Sequence, residues 1–117
     1  MATYKDSQIQ ERRLAKELGG SVNSGSGNGW IRKSDVRSKT ELVEAKITSA
    51  KSYSLKDDEL IKNNNYALID GRMPVFVVEF KTTGNRWAIL SWDDYLTLRE
   101  SAETIGNEIT HRGTSLV

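Results

Sequence analysis

The chain contains no cysteine, one histidine (His111) and one proline (Pro74). Without thiols it can form neither a disulfide nor a thiolate metal site, and one imidazole argues against a histidine-built metal centre or a serine–histidine triad. No apolar run approaches the roughly 18 residues of a membrane span, and the first residues lack the charged-then-apolar pattern of a secretory signal. An intracellular, cytoplasmic protein with no membrane partner is therefore expected. The 117 residues are enough for one core and too few for two, so a single domain over 1–117 is expected.

Charge is present in quantity but unevenly placed. The net charge is only +1, yet residues 12–56 hold ten Lys/Arg against four Asp/Glu, and acidic residues prevail after that. A basic half on a nearly neutral chain suits a polyanionic partner, and equally a solvated charged face.

Apolar spacing and turn residues give the order of elements. Residues 7–18 read as a helix, capped by Asp6 or Ser7 and ended by Gly19-Gly20. Leu14, Ala15 and Leu18 form its apolar stripe, and Glu11 falls on that stripe whereas Glu17 does not. Residues 19–29 hold five of the nine glycines, which composition reads equally as a flexible linker or a functional loop. Strands are predicted at 30–37 and 41–48, and a helix at 56–69 with Leu60, Ile61 and Leu68 on one side. Pro74 opens the most apolar strand, Val75–Phe80, whose near-continuous run predicts burial on both faces. Gly84-Asn85 turns the chain into a strand at 86–90, and a helix follows from Ser91 to about 103. The core is expected over about 5–103, with 104–117 a tail or partner-binding arm lacking clear periodicity. The resulting order, α-β-β-α-β-β-α, predicts an α/β fold: a small mixed sheet with helices against it.

Asp35 and the triplet Glu44-Ala45-Lys46 carry the chemical signal. In a strand Glu44 and Lys46 share a face, about 7 Å apart along the backbone, while Val43, Ala45 and Ile47 turn to the core. A carboxylate and an ammonium on an otherwise apolar strand are costly when buried and useful when they line a site. One acid, a short gap and an acid–x–lysine triplet is the spacing of a magnesium-dependent nuclease.

Taken with Glu11-Arg12-Arg13, Gly19-Gly20, Ser24-Gly25-Ser26-Gly27 and the strand Pro74–Val78, this set resembles the PD-(D/E)xK nuclease superfamily, and within it the archaeal-type Holliday junction resolvases, phage-encoded relatives included. The resemblance covers about residues 5–96. Ser34 stands where the family has a proline, and Asp57-Asp58-Glu59 where resolvases often carry a glutamine. It implies a restriction-endonuclease-like fold and a structure-selective endonuclease acting on branched DNA. Asp35 and Glu44, the Ala45 carbonyl and Glu11 are then expected to hold Mg2+, with Mn2+ able to substitute. Lys46 is expected to meet the attacking water or the phosphate. Ser24, Gly25 and Ser26 are expected to cradle phosphate, with Arg12, Arg13, Arg32, Lys33 and Arg37 along the DNA. Trp30 is expected to pack under the loop, and Trp87 and Trp92 in the core or an interface. No nucleotide cofactor is expected. A homodimer is expected because resolving a junction requires two incisions. The alternatives are a related nuclease acting on another DNA structure and a nucleic-acid-binding module without catalysis.

Overall fold

A computed structural model of the chain describes residues 2–23 and 34–112. Its first helix, α1, spans Tyr4–Leu18 and starts before the predicted Ser7 because Thr3 is the cap. The Thr3 hydroxyl accepts the Asp6 amide, and the Asp6 carboxylate accepts the Thr3 amide. Gly19 ends the helix in the left-handed conformation, φ 65°, as the glycine pair predicts. Gly20 is required for a different reason. A Cβ there would lie 2.3 Å from the Arg37 carbonyl oxygen, so a side chain would push the turn off the neighbouring strand.

Five strands and two more helices follow: β1 (Ser21–Val22), β2 (Val36–Arg37), β3 (Glu41–Thr48), α2 (Asp57–Asp70), β4 (Met73–Phe80), β5 (Asn85–Ile89) and α3 (Trp92–Arg112). They make one mixed sheet in chain order, antiparallel except for the parallel pair β3–β4, which α2 connects. The α/β class is as predicted. The order differs by β1, a two-residue strand inside the segment read as a loop, paired with β2 through Ser21–Arg37 and Val22–Val36. Of the strand expected over 30–37, residues 36–37 are strand, and 30–33, with Trp30, lie outside the described residues. Nor does the last helix stop near 103: it continues to Arg112, through most of the expected tail.

Alternation along the strands sorts side chains onto two faces. Val36, Val43, Ala45 and Val77 meet Leu14 and Ala15 of α1 in one buried cluster, so the predicted inward turn of Val43 and Ala45 is observed. Leu42, Phe76 and Val78 are buried on the opposite face, which α2 covers. The centre of β4 is thus covered on both sides, as its apolar run predicts, and offers no interface.

The inward face of α2 departs from the prediction. Leu68 and Ile61 are exposed, and the buried positions are Asn63 and Ala67. The Asn63 carboxamide explains why. Its nitrogen donates to the Leu42 and Val75 carbonyls at 3.4 and 3.3 Å, and its oxygen accepts the Ser34 hydroxyl at 2.6 Å. One amide thereby ties the helix to two strands and to the segment before β2. Asn63→Ala should cost about 3 kcal/mol, since it leaves buried polar groups unpaired. Urea denaturation measures this, and a loss under about 1 kcal/mol, near the range of a surface change, would rule the clamp out.

Candidate functional site

Asp35 sits immediately before β2, where the chain joins the ladder. Its backbone is already paired, its amide donating to the Val43 carbonyl at 2.9 Å and its own carbonyl accepting from Asn23. At this end of the β2–β3 pairing the Asp35 side chain continues the link that the backbone begins. Its Oδ2 accepts the Ala45 amide at 2.8 Å. That bond fixes the carboxylate beside the Glu44-Ala45-Lys46 stretch. In Ala45 it is therefore the amide whose role is visible.

Glu44 and Lys46 project from β3 onto the face covered by α2, sharing it as the alternation predicts, with Lys46 Nζ 3.5 Å from Glu44 Oε2. Beside them α2 presents Glu59, Lys62, Asn63 and Tyr66, enclosing a cleft of about 140 Å³, room for several waters. Tyr53 donates its hydroxyl to Glu59 at 2.9 Å, and burial followed by that bond pushes its pKa up to about 12.

The acids of the site act on one another electrostatically. Burial raises the Glu44 carboxyl to about 7, with Asp35's like charge adding to it and Lys46 opposing. Asp35 is raised by burial, against the Ala45 amide and Lys46, which favour its charged form. Glu11 is raised by burial and then by Asp35. Asp35 is thus the acid whose like charge raises both Glu11 on α1 and Glu44 on β3. The helical register that puts Glu11 rather than Glu17 inward is the observed one. Glu17 is solvent-facing, with Arg86 donating to its carboxylate at 2.8 Å. Among the described residues, no three Asp, Glu or His side chains stand close enough together to enclose an ion.

The expected phosphate-binding residues divide. Ser24, Gly25, Ser26, Arg32 and Lys33 lie outside the described residues. Arg12 and Arg13 are exposed on α1, Arg13 within 4.0 Å of Glu17. Arg37 is committed elsewhere: its Nε and Nη2 each donate to Asp70 at 3.0 Å, and Arg72 joins the same carboxylate at 2.8 Å. Two guanidiniums on one carboxylate hold the end of α2 to β2 and leave a net positive corner with Lys39.

Comparison of the chain with protein-family models, with curated proteins and with solved structures finds no match. The site must be read from its own residues.

Four of those residues, Glu59, Lys62, Asn63 and Tyr66, escape a reading of the sequence that follows the apolar side chains of α2. The signal is present as polar spacing: positions 59, 63, 66 and 70 follow the i, i+4, i+7, i+11 rows of one helix face. With this polar row α2 lines the cleft beside Glu44 and Lys46, while Ala67 and Asn63 close it over Leu42, Phe76 and Val78.

Proposed function

We propose that this chain is a magnesium-dependent endonuclease of restriction-endonuclease-like fold that cuts branched DNA, with four-way junctions as its substrate. The observation that supports this most is the bond that holds Asp35 against the Glu44-Ala45-Lys46 stretch at one end of the β2–β3 pairing, with the charge of Asp35 acting also on Glu11 of α1. Acids that repel one another in a partly buried site are a donor set that a hard, oxygen-seeking cation stabilises. Asp35, Glu44 and the Ala45 carbonyl would hold the ion, and Glu11 would bear on it through a water. Once bound, it would supply charge neutralisation at the phosphate and a more acidic water.

The chain's own residues do the rest. The Ala45 amide holds the Asp35 carboxylate in place, so its orientation needs no ion. Lys46 donates to a phosphate oxygen or to the attacking water, where its charge offsets that developing in the transition state. The same charge keeps Glu44 more ionised than burial alone would allow. Lys62 and Tyr66 widen the donor surface of the cleft towards the phosphodiester chain. Two opposed strands of a junction need two sites, and a twofold homodimer provides them.

A nucleic-acid-binding module without catalysis is favoured by one observation, the lack among the described residues of three acids close enough to enclose an ion. Magnesium-dependent cleavage of a synthetic junction, compared with linear duplex and flap DNA, separates the readings. Preferential junction cutting supports the proposal, and binding without cutting at any magnesium concentration removes it.

The register of α1 adds a sharper check. Glu11→Gln should reduce cleavage by about tenfold or more, the loss expected for a ligand or ligand-orienting group. Glu17→Gln should leave cleavage unchanged and alter stability by no more than about 1 kcal/mol, as for any surface pair. The reverse pattern in parallel assays would place the helix contribution at the wrong acid.

A further inference from the structure

The longest element of the fold is the least used. α3 runs for 21 residues, yet among the described residues it packs extensively on no other helix or strand. Every side chain from Thr97 to Gly106 is exposed. A helix containing Thr97, Ser101, Thr104 and Gly106 is marginal in water, because these residues are weak helix formers and, past the half-buried Leu96, each described side chain to position 106 is exposed.

Its apolar residues are nevertheless ordered. Tyr95, Leu98, Ala102 and Ile105 follow the spacing 3-4-3, and the sequence continues it with 4 at Ile109. This is the a/d repeat of a coiled-coil seam, narrower than the broad stripe a helix turns to a globular core. Tyr95, Leu98 and Ile105 are 47%, 44% and 56% exposed, and Trp92 stacks on Tyr95 at a ring separation of 5.4 Å at the head of the seam.

We infer that α3 is the dimerisation element of the protein and packs in parallel against α3 of a second copy. The flanking charges indicate both the partner and the direction. With Tyr95 at a, Asp94 is at g and Arg99 at e, and in a parallel pair the g residue of one helix faces the following e residue of the other. Asp94 of each copy then meets Arg99 of its mate, twice by symmetry. In the single chain Arg99 reaches Glu103 of its own helix at 3.1 Å, with both side chains more than half exposed, a pair weak enough to exchange. Ala102 at an a position lets the helices approach closely halfway along. The seam is the surface of the proposed dimer, and it uses no catalytic residue.

The absence of cysteine makes the test clean. Full-length Leu98→Cys, oxidised, should give a covalent dimer, since like d positions face each other across a parallel seam within disulfide reach. Glu100→Cys, on the outer face, should not. In sedimentation the wild-type chain should be a dimer, and Leu98→Asp with Ile105→Asp should raise the dissociation constant about 100-fold or more. The circular dichroism of the sheet should not change, because these side chains are solvent-facing in the single chain. A monomeric wild type, a dimer that survives both aspartates, or equal cross-linking at 98 and 100 would each overturn the inference. Dissociation by the aspartates without cross-linking at 98 would overturn the parallel arrangement. Because the readout is mass, failure of the nuclease proposal leaves the result standing, whereas a monomeric wild type would remove the paired incision of a junction and leave a nuclease acting at single sites.

Discussion

Asp35→Asn and Glu44→Gln should each slow magnesium-dependent junction cleavage by about a thousandfold or more, the equivalent of the several kcal/mol a correctly held cation contributes. Both changes keep the shape of the side chain and remove its charge. The carboxamide introduced by Asp35→Asn can still accept the Ala45 amide through its carbonyl oxygen, so the start of β2 should stay where it is. Glu44→Gln removes a carboxyl whose charged form is already disfavoured by burial and by Asp35. Neither variant therefore threatens the fold, and lost cleavage can be assigned to lost cation affinity and lost charge. Junction affinity, measured with calcium or without metal, should be unchanged or tighter, because one negative charge facing the phosphates is gone. The measurement is single-turnover cleavage at saturating magnesium beside a binding isotherm. Rates within about tenfold of wild type in both variants would remove Asp35 and Glu44 from the chemistry. A parallel fall in binding would make them DNA-positioning residues instead.

The legible and illegible parts of this chain differ for physical reasons. Alternation in β3 is readable because Val43 and Ala45, which turn to α1, are apolar, while Glu44 and Lys46 between and after them are charged. Likewise, the Glu11 register is readable from Leu14 and Ala15, which are buried as that stripe requires, although Leu18, at the end of the helix, is exposed and Gln10 is buried in addition. The inward face of α2 is not, because hydrophobic periodicity assumes an apolar interior, and Asn63 is buried there through three hydrogen bonds instead. Its exposed Leu68 and Ile61 then mimic a core stripe. α3 is obscured for a related reason. A two-in-seven seam with Ala102 in the middle has too little apolar density to stand out, although its spacing is regular. Trp87 and Trp92, expected in a core or an interface, are 59% and 70% exposed, so neither lies in the core. The Asp35–Ala45 bond is invisible in the sequence, since it depends on where β2 starts pairing. Arg37 reads as a free phosphate ligand in the sequence because Asp70, its partner, lies 33 residues away.

Without divalent metal, the protein should lose stability as the pH rises from about 5 to 8. Glu44 is the main cause. Its folded-state pKa of about 7 lies above the ordinary 4.5, so between those values the folded chain binds more protons than the unfolded one. Stability then falls with increasing pH: the contribution is fully present below about 4.5 and is lost as the pH climbs through 7. For a side chain only 23% exposed the loss is on the order of 3 kcal/mol. Glu11 and Asp35, also raised by burial, add in the same direction. Asp6 and Glu17 act oppositely, their carboxyls lowered by a backbone amide bond and by Arg86 respectively, so their support disappears only as the pH falls through the acid range. Maximum stability in EDTA should accordingly lie near pH ~5. Glu44→Gln should remove most of the alkaline loss and be the more stable protein at about pH 8. Magnesium should have the opposite selectivity, raising the urea midpoint of the wild type at that pH and barely moving that of the variant, since a cation stabilises the carboxylate it neutralises. Urea titrations at about pH 5, 6.5 and 8, with EDTA or with magnesium, give all of these values. A wild-type midpoint that stays flat across the EDTA series would mean that Glu44 is ionised throughout at no cost. The acids would then not be crowded enough to need a cation, and a metal site at Asp35 and Glu44 would lose its electrostatic basis.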